Sequence, residues 1–577
     1  MNKRISKVFK KLSKEKVDYY LISSKDEYLN EYAPSHKRRL EWLINFKGSN
    51  GIALISKKKQ FFFTDGRYLV QAEKEIDKNF HIINSNLQDI FSVIANNVNG
   101  KKILVDFKIF SIGFIEKLIL TAKLNSNEVI HDKENLIDQL WINRPKEHKR
   151  KFFFLKKSLY GLSVKNKIKK VFDNYNYDYF ILSSSDSICW LLNIRGYDLP
   201  ETPVIFSKLI LSKTHTKLFL DLEKVPKLKN KGNISYHDIN KFSDHIIDIP
   251  KKSSILLDNM TPYYYYDLMN ERGLLPTVSE DPCKLIKSKK NSTEIENTFK
   301  AHKFDGIALT KFFFWLDKAK FIPSLTELLV SKKLREIRSQ CKSFFSQSFE
   351  TISAVGSNGS IIHYNPNSNN QKLKSGKLYL CDSGAQYFEG TTDVTRTIHL
   401  GNEQPKKEFI ENYTRVLMGH IDLAKMKFPL GTTGSQLDSI ARYYLWKYGM
   451  DYDHGTGHGV GSFLSVHEGP QSISKNYSKV KLEEGMILSN EPGFYKKNKY
   501  GIRIESLVLV TKSSYKDFLE FKTLTLFPYE RDLIKVNLLN NEQRTWINNY
   551  HSYVYKKLSR SLLNDHRKWL FRKTRTI

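Results

Sequence analysis

The chain has no apolar run approaching the ~20 residues that a membrane-crossing helix needs. Its opening stretch, "MNKRISKVFKKLSKEKVDYY", has no apolar core of signal-peptide length. Cysteine is scarce: 4 in 577 residues (Cys189, Cys283, Cys341 and Cys381), none at CxxC spacing. That scatter excludes a zinc finger and a disulfide framework, and it favours a reducing, cytoplasmic setting. Acidic residues fall well short of basic ones, 61 against 93, which leaves a formal net charge of +32. Such an excess can mark a polyanion binder. Here it is mostly lysine in short patches such as "SKKKQ", "KLKNKG" and "KSKKNS", with no nucleic-acid-binding motif beside them. These patches read as solvated turns, so neither nucleic acid nor a membrane is an expected partner.

What the chain does have belongs to a folded protein: 40% hydrophobic and 13% aromatic residues. At ~150 residues per domain, its length predicts three or four domains. Ile5, Val8, Phe9 and Leu12 recur at helical spacing, so the basic start reads as an amphipathic helix and not a transit peptide. Residues 1–145 read as one α/β domain, in which "GIALISKKKQFFFTDGRYLVQAEKEI" predicts two strands, a lysine turn and a helix. Residues 146–292 read as a second. Its "YDYFILSSSDSICWLLNIRG" echoes the earlier "VDYYLISSKDEYLNEYAP", each running Tyr-rich strand, Ser-rich turn, Asp, helix. The echo suggests two related domains.

A long helix capped by Thr293 or Ser292, with Glu296 closing a capping box on Thr293, opens a third domain over 293–512. Within it "SQLDSIARYYLWKYG" predicts a helix bracketed by Ser435 and Gly449. Residues 513–577 extend this domain and include the amphipathic helix "NEQRTWINNYHSYVYKKLSRSLL", which packs or dimerises.

The chemistry concentrates in the third domain. "LYLCDSGAQYFEGTTDVTRTIHLG" delivers Asp382 to the end of a strand and returns Asp393 eleven residues later (393 − 382). Alone, this pair reads as turn residues or caps. Yet "ILSNEPGFY" sets Glu491 at the end of an apolar strand. In "GIRIESLVLV", Arg503 and Glu505 share one face of an alternating segment, opposite Ile502, Ile504 and Val508. A mid-strand glutamate is costly to bury unless it is paired or bound to metal. The Gly-rich "HGTGHGVGSFLSVHEGP" adds His454, His458 and His467. Four carboxylates and one histidine make a site for two divalent cations, and oxygen-rich ligation suits Mn²⁺, with zinc or cobalt as alternatives. Two cations about 4 Å apart can deprotonate a bridging water and polarise a carbonyl.

In that order, Asp382, Asp393, His458, Glu491 and Glu505 resemble the two-metal signature of the pita-bread metallopeptidases. More closely, "GSIIHY", "DSGAQYFEGTTDVTRT", "HGTGHGVGSFLSVHEGP", "NEPGFY" and "GIRIES" resemble the three-domain, cytosolic-type Xaa-Pro aminopeptidases (the aminopeptidase P family). The likeness extends from "RRLEWLINFKGSNG" to the closing "WLFRKTRTI". It implies two creatinase-like α/β domains followed by a pita-bread catalytic domain, and peptide substrates with proline in second position. It also implies attack by a metal-bridging hydroxide and a cytoplasmic homodimer. On the same resemblance, Asp382 holds one metal, Asp393 and Glu505 bridge both, and His458 and Glu491 complete the two shells. Glu491 serves as general base, His454 and His467 hold substrate and stabilise the intermediate, and His363 contacts the bound substrate. Arg503 orients Glu505 or another carboxylate. Two rival readings are a prolidase-like dipeptidase, which would typically have one N-terminal domain, and a non-catalytic pita-bread binding protein, which would generally have a degraded ligand set.

Overall fold

A computed structural model describes residues 3–227, 234–319, 322–366 and 370–577. They form two compact units, Met1–Leu155 with Ser163–Ile286, and Lys156–Leu162 with Lys287–Ile577.

The first unit is built twice over. One six-stranded sheet runs Phe80–Asn84, Gln60–Thr64, Ile52–Ile55, Tyr19–Ser23, Lys102–Val105, Glu128–His131. The other runs Ile234–Asp238, Thr216–Leu220, Lys208–Ser212, Tyr179–Leu182, Ile255–Asp258, Thr277–Ser279. Strand directions match position by position: antiparallel at the two middle pairs that flank Ile52–Ile55 or Lys208–Ser212, parallel elsewhere. The sequence echo is therefore a duplicated topology, with the two Tyr-rich strands at equivalent places. The echo fails at one point. Helix Ser185–Leu191 follows the second strand, but no helix follows at once in the first copy. There the buried Asp26 carboxylate accepts the N–H groups of Tyr28 and Asn30 and holds a turn instead. The amphipathic helix Lys3–Glu15 buries Ile5, Val8, Phe9 and Leu12, as its spacing predicts.

In the second unit the helix Ser292–Ala319 is entered through Asn291, whose side chain accepts the Glu294 N–H while Glu294 accepts the Asn291 N–H. The expected box on Thr293 and Glu296 is thus displaced upstream to Asn291 and Glu294. A similar shift occurs at helix Gly434–Trp446, where Thr433 and Gln436 form the capping box, not Ser435; Gly449 does take a left-handed turn beyond its end (φ 65°). Helix Asn541–Leu558 buries Ile547, Tyr550, Val554 and Leu558 in this unit's core, so it packs.

Three sheet systems frame the site. The strands Ile352–Val355, Lys377–Ser383 and Val394–Leu400 form an antiparallel sheet. A six-stranded sheet is ordered Lys427–Pro429, Phe518–Thr523, Ser506–Lys512, Ile487–Asn490, Gly457–Gly459, Glu468–Ile473. Gly493–Lys496 and Tyr500–Arg503 make a hairpin. "GIRIESLVLV" is therefore not one strand: Tyr500–Arg503 belongs to the hairpin and Ser506–Lys512 to the large sheet, with Ile504 and Glu505 at the crossing.

Candidate metal centre

Asp382 sits opposite Thr395 in the pairing of Lys377–Ser383 with Val394–Leu400, and Asp393 precedes the returning strand. The strand-turn-strand geometry therefore brings both carboxylates to one end of the sheet. Glu491 follows Ile487–Asn490, its N–H bonded to the Thr456 carbonyl at 2.8 Å. The N–H of Glu505 bonds the Thr395 carbonyl at 3.1 Å, which carries the strand crossing to the same place. His458 is the middle residue of Gly457–Gly459.

Ligand atoms of Asp393, His458 and Glu505 all lie within 4.8 Å of one another. His458 Nε2 is 3.7 Å from Asp393 Oδ2 and 3.4 Å from Glu491 Oε1. Its Nδ1 lies 2.9 Å from the Gly459 carbonyl oxygen, an acceptor that places the proton on Nδ1 and turns Nε2 to the carboxylates. Glycine on both sides of His458 is a spatial requirement: a Cβ at Gly457 would lie 2.0 Å from the Ser489 oxygen, and one at Gly459 2.4 Å from the Glu468 oxygen. Gly457→Ala is accordingly expected to cost about 1–3 kcal/mol in a denaturation midpoint measured without metal, as overpacking does.

The electrostatics test whether this donor set suits cations. Burial and the neighbouring Glu505, Asp382 and Glu491 hold the Asp393 carboxyl well above the ordinary range. Burial, Glu491 and Asp382 do the same to Glu505. Burial drives Glu491 up to about 7 against the lowering pull of Arg503, with Asp382 adding to the rise. Among the described residues, Asp382 Oδ1 and Asp393 Oδ1 are buried with no hydrogen-bond partner. Crowded carboxylates with orphaned oxygens are costly to leave bare, and bound cations would satisfy them. The residues fit a pair of divalent ions.

Arg503, His454 and His467 pack about these donors, directly or through Tyr495. Arg503 Nη2 donates to Asp382 Oδ2 at 2.6 Å, Nη1 to the Tyr495 hydroxyl at 2.6 Å and Nε to Thr395 Oγ1 at 3.2 Å. Its direct carboxylate partner is thus Asp382. It reaches Glu505 through Thr395, whose hydroxyl donates to Glu505 Oε2 at 2.8 Å. His454 is buried, with Nδ1 2.8 Å from the Gly455 oxygen and Nε2 2.8 Å from the Tyr495 hydroxyl. The His467 ring stands against that of His458, centroids 4.4 Å apart at 78°. His363 is half-buried and follows Ile362, whose carbonyl oxygen is 3.4 Å from Arg503 Nη2.

Three supporting residues escape sequence reasoning: Tyr495 joins His454 to Arg503, Thr395 joins Arg503 to Glu505, and Ser489 donates to Glu491 Oε1 at 3.0 Å while accepting the His458 N–H at 2.9 Å. The only signal for them is a polar residue inside an otherwise apolar strand or motif.

Comparison with known proteins accounts for nearly the whole length. Residues 4–140 and 143–294 each match a creatinase/prolidase N-terminal domain, 296–512 match metallopeptidase family M24, and 517–577 match the C-terminal region of peptidase M24. Creatinase-type domains followed by this donor set on an M24 domain define a metallopeptidase. Among relatives, the chain is 35% identical to a probable Xaa-Pro aminopeptidase P of Coprinopsis cinerea, covering 100% of this chain and 98% of that protein. It is 35% identical to Xaa-Pro aminopeptidase 1 of Dictyostelium discoideum, covering 97% and 93%. The X-prolyl aminopeptidase of Caenorhabditis elegans, described as a cytosolic enzyme with a di-nuclear active site, superposes with a TM-score of 0.95 at 31% identity, covering 100% and 99%. The chain belongs to metallopeptidase family M24, in its Xaa-Pro aminopeptidase P group.

Proposed function

We propose that the chain is an Xaa-Pro aminopeptidase that removes the first residue from peptides with proline in second position, using two divalent metal ions. The observation that carries this reading is the convergence of Asp393, His458 and Glu505 ligand atoms within 4.8 Å, with Asp382 and Glu491 alongside. The prolidase alternative is less favoured: the prolidase of Pyrococcus horikoshii covers 64% of this chain, against 100% for the aminopeptidase. The intact donor set argues against a binding protein without catalysis.

Asp382, Asp393, His458, Glu491 and Glu505 would hold the ions. Bound there, the pair supplies Lewis-acid polarisation of the scissile carbonyl and an acidified water. The remaining work falls to the chain. Glu491, steadied by the Ser489 hydroxyl, takes a proton and delivers it to the leaving proline nitrogen, which has no N–H of its own. His454 and His467 line the position where negative charge develops, and His363 contacts the peptide. Arg503 holds the Asp382 carboxylate in one orientation.

Mn²⁺ is the proposed ion, because the donor set is dominated by oxygen. A cytoplasmic homodimer completes the proposal. Its location is supported by four unbridged cysteines, and its assembly by the family resemblance. Among the described residues, no helix is long and apolar enough to cross a membrane.

Product analysis with Xaa-Pro-Yaa tripeptides and Xaa-Pro dipeptides tests the reading. The expected result is release of the first residue from the tripeptide, lost on chelation and restored by Mn²⁺. Dipeptide cleavage alone would favour the prolidase, and no cleavage together with no metal bound would favour the binding protein.

A further inference from the structure

Glu327 opens helix Glu327–Ser339, following Thr326, which caps it. Its side chain is fully buried, and among the described residues no cation pairs with it. Neutral donors surround the carboxylate instead. Val355 N–H donates to Oε1 at 2.6 Å, the Tyr364 hydroxyl and the Gln371 N–H donate to Oε2 at 2.7 and 2.8 Å, and the Asn358 amide reaches both oxygens at 3.1 Å. The backbone joins in: Glu327 N–H bonds the Gln371 oxygen at 2.9 Å, and the Ser353 hydroxyl bonds the Glu327 oxygen at 2.8 Å.

Burying a carboxylate without a cation is costly, and an apolar side chain would fill the space more cheaply. The helix start eases that cost but does not explain the choice. The explanation lies in what the donors belong to. They come from strand Ile352–Val355, from the 3₁₀ helix Gly356–Ser360, from Tyr364 and from Gln371 further along, so one carboxylate ties both sides of His363 together. His363 then sits between two fixed points: Tyr364, bonded to Glu327, and Ile362, whose carbonyl meets the guanidinium that also holds Asp382.

We propose that Glu327 is the positioning residue of this substrate-facing loop, setting His363 and the Ile362 carbonyl relative to Arg503 and Asp382 without touching substrate or metal. The inference rests on the aminopeptidase reading for what the loop does, but not for how it is held.

Glu327→Gln keeps the shape of the side chain but turns one acceptor into a donor among donors. Its expected signature is a KM for Xaa-Pro-Yaa tripeptides raised about tenfold or more, with kcat changed less than about threefold and metal stoichiometry unaltered. Amides of residues 355–364 should exchange faster with solvent. Because Glu327 acts through His363, the KM effects of Glu327→Gln and His363→Ala should be strongly sub-additive in the double variant. Tyr364→Phe, which removes one donor and spares the carboxylate, should shift KM and exchange in the same direction by less. It carries the test if Glu327→Gln does not fold.

Full multiplication of the two single effects, or a loss confined to kcat with metal released, would overturn the proposal. So would unchanged exchange over 355–364. Exchange requires no substrate, so a wild-type protein inactive on Xaa-Pro peptides removes the functional reading, whereas unchanged exchange removes the clamp.

Discussion

Glu491→Ala and His458→Ala should each abolish hydrolysis, a loss of at least ~10²–10⁴-fold in kcat if Glu491 is the general base, while the fold survives. The backbone argument for survival is local. The Glu491 main chain is anchored by its N–H on the Thr456 carbonyl, and that of His458 by the Ser489 hydroxyl and the pairing of Gly457–Gly459 with its neighbours. None of these contacts uses the side chain that is removed. The two variants should differ in metal content. His458→Ala removes the one nitrogen donor of the set, so bound metal should fall. Glu491→Gln keeps an oxygen donor but removes the proton acceptor, and should retain more metal than activity. Single-turnover kinetics with metal analysis on the same samples separates these cases. Near-normal turnover in Glu491→Ala would remove the catalytic assignment.

Much of this site was legible because its signals are local. A strand, a turn and a returning strand bring Asp382 and Asp393 to one end of a sheet, which the spacing allows. The pair alone reads as turn residues, and only the later His and Glu motifs single it out. His458 stands out because glycines flank it, and the structure gives those glycines a cause in the Ser489 and Glu468 backbones. What could not be read depends on distant parts of the chain. The Thr395–Glu505 bond joins residues 110 apart, and the Arg503–Asp382 bond residues 121 apart, so no periodicity encodes either. "GIRIES" looks like one alternating strand, and its transfer between two sheets is a tertiary decision. The misplaced caps have a different origin. Asn291 with Glu294 and Thr293 with Glu296 offer the same capping-box spacing, and the structure uses the first pair. In the first unit the repeated strand-turn-Asp pattern was legible as duplication. The missing helix after Asp26 was not, because a buried aspartate can serve a turn as well as a helix start.

Removing the metals should destabilise the wild type, and Asp393→Asn should reverse the order of stability between the two proteins. In the metal-free chain, Asp393, Glu505 and Glu491 carry carboxyls raised by burial and by one another. The sign follows from proton binding: where the folded value lies above the unfolded one, the folded state holds protons that the unfolded chain has given up. Such groups contribute stability that is fully present below the unfolded value of about 4. They lose it as pH rises through the folded value, which for Glu491 is about 7. Metal-free wild type should therefore melt at lower temperature at about pH 8 than at about pH 5.5. Divalent ions favour the ionised, folded state and add about 2.7 kcal/mol at a hundredfold excess over Kd for one site. Asp393→Asn removes one of the repelling charges together with a metal donor. In chelator at about pH 8 it should melt at or above the wild type, and in Mn²⁺ it should melt below it. Melting curves with and without Mn²⁺ across this range check both halves. A chelated variant that melts well below chelated wild type would show that the Asp393 carboxylate supports the fold by itself, and the crowded-carboxylate account of the centre would fail.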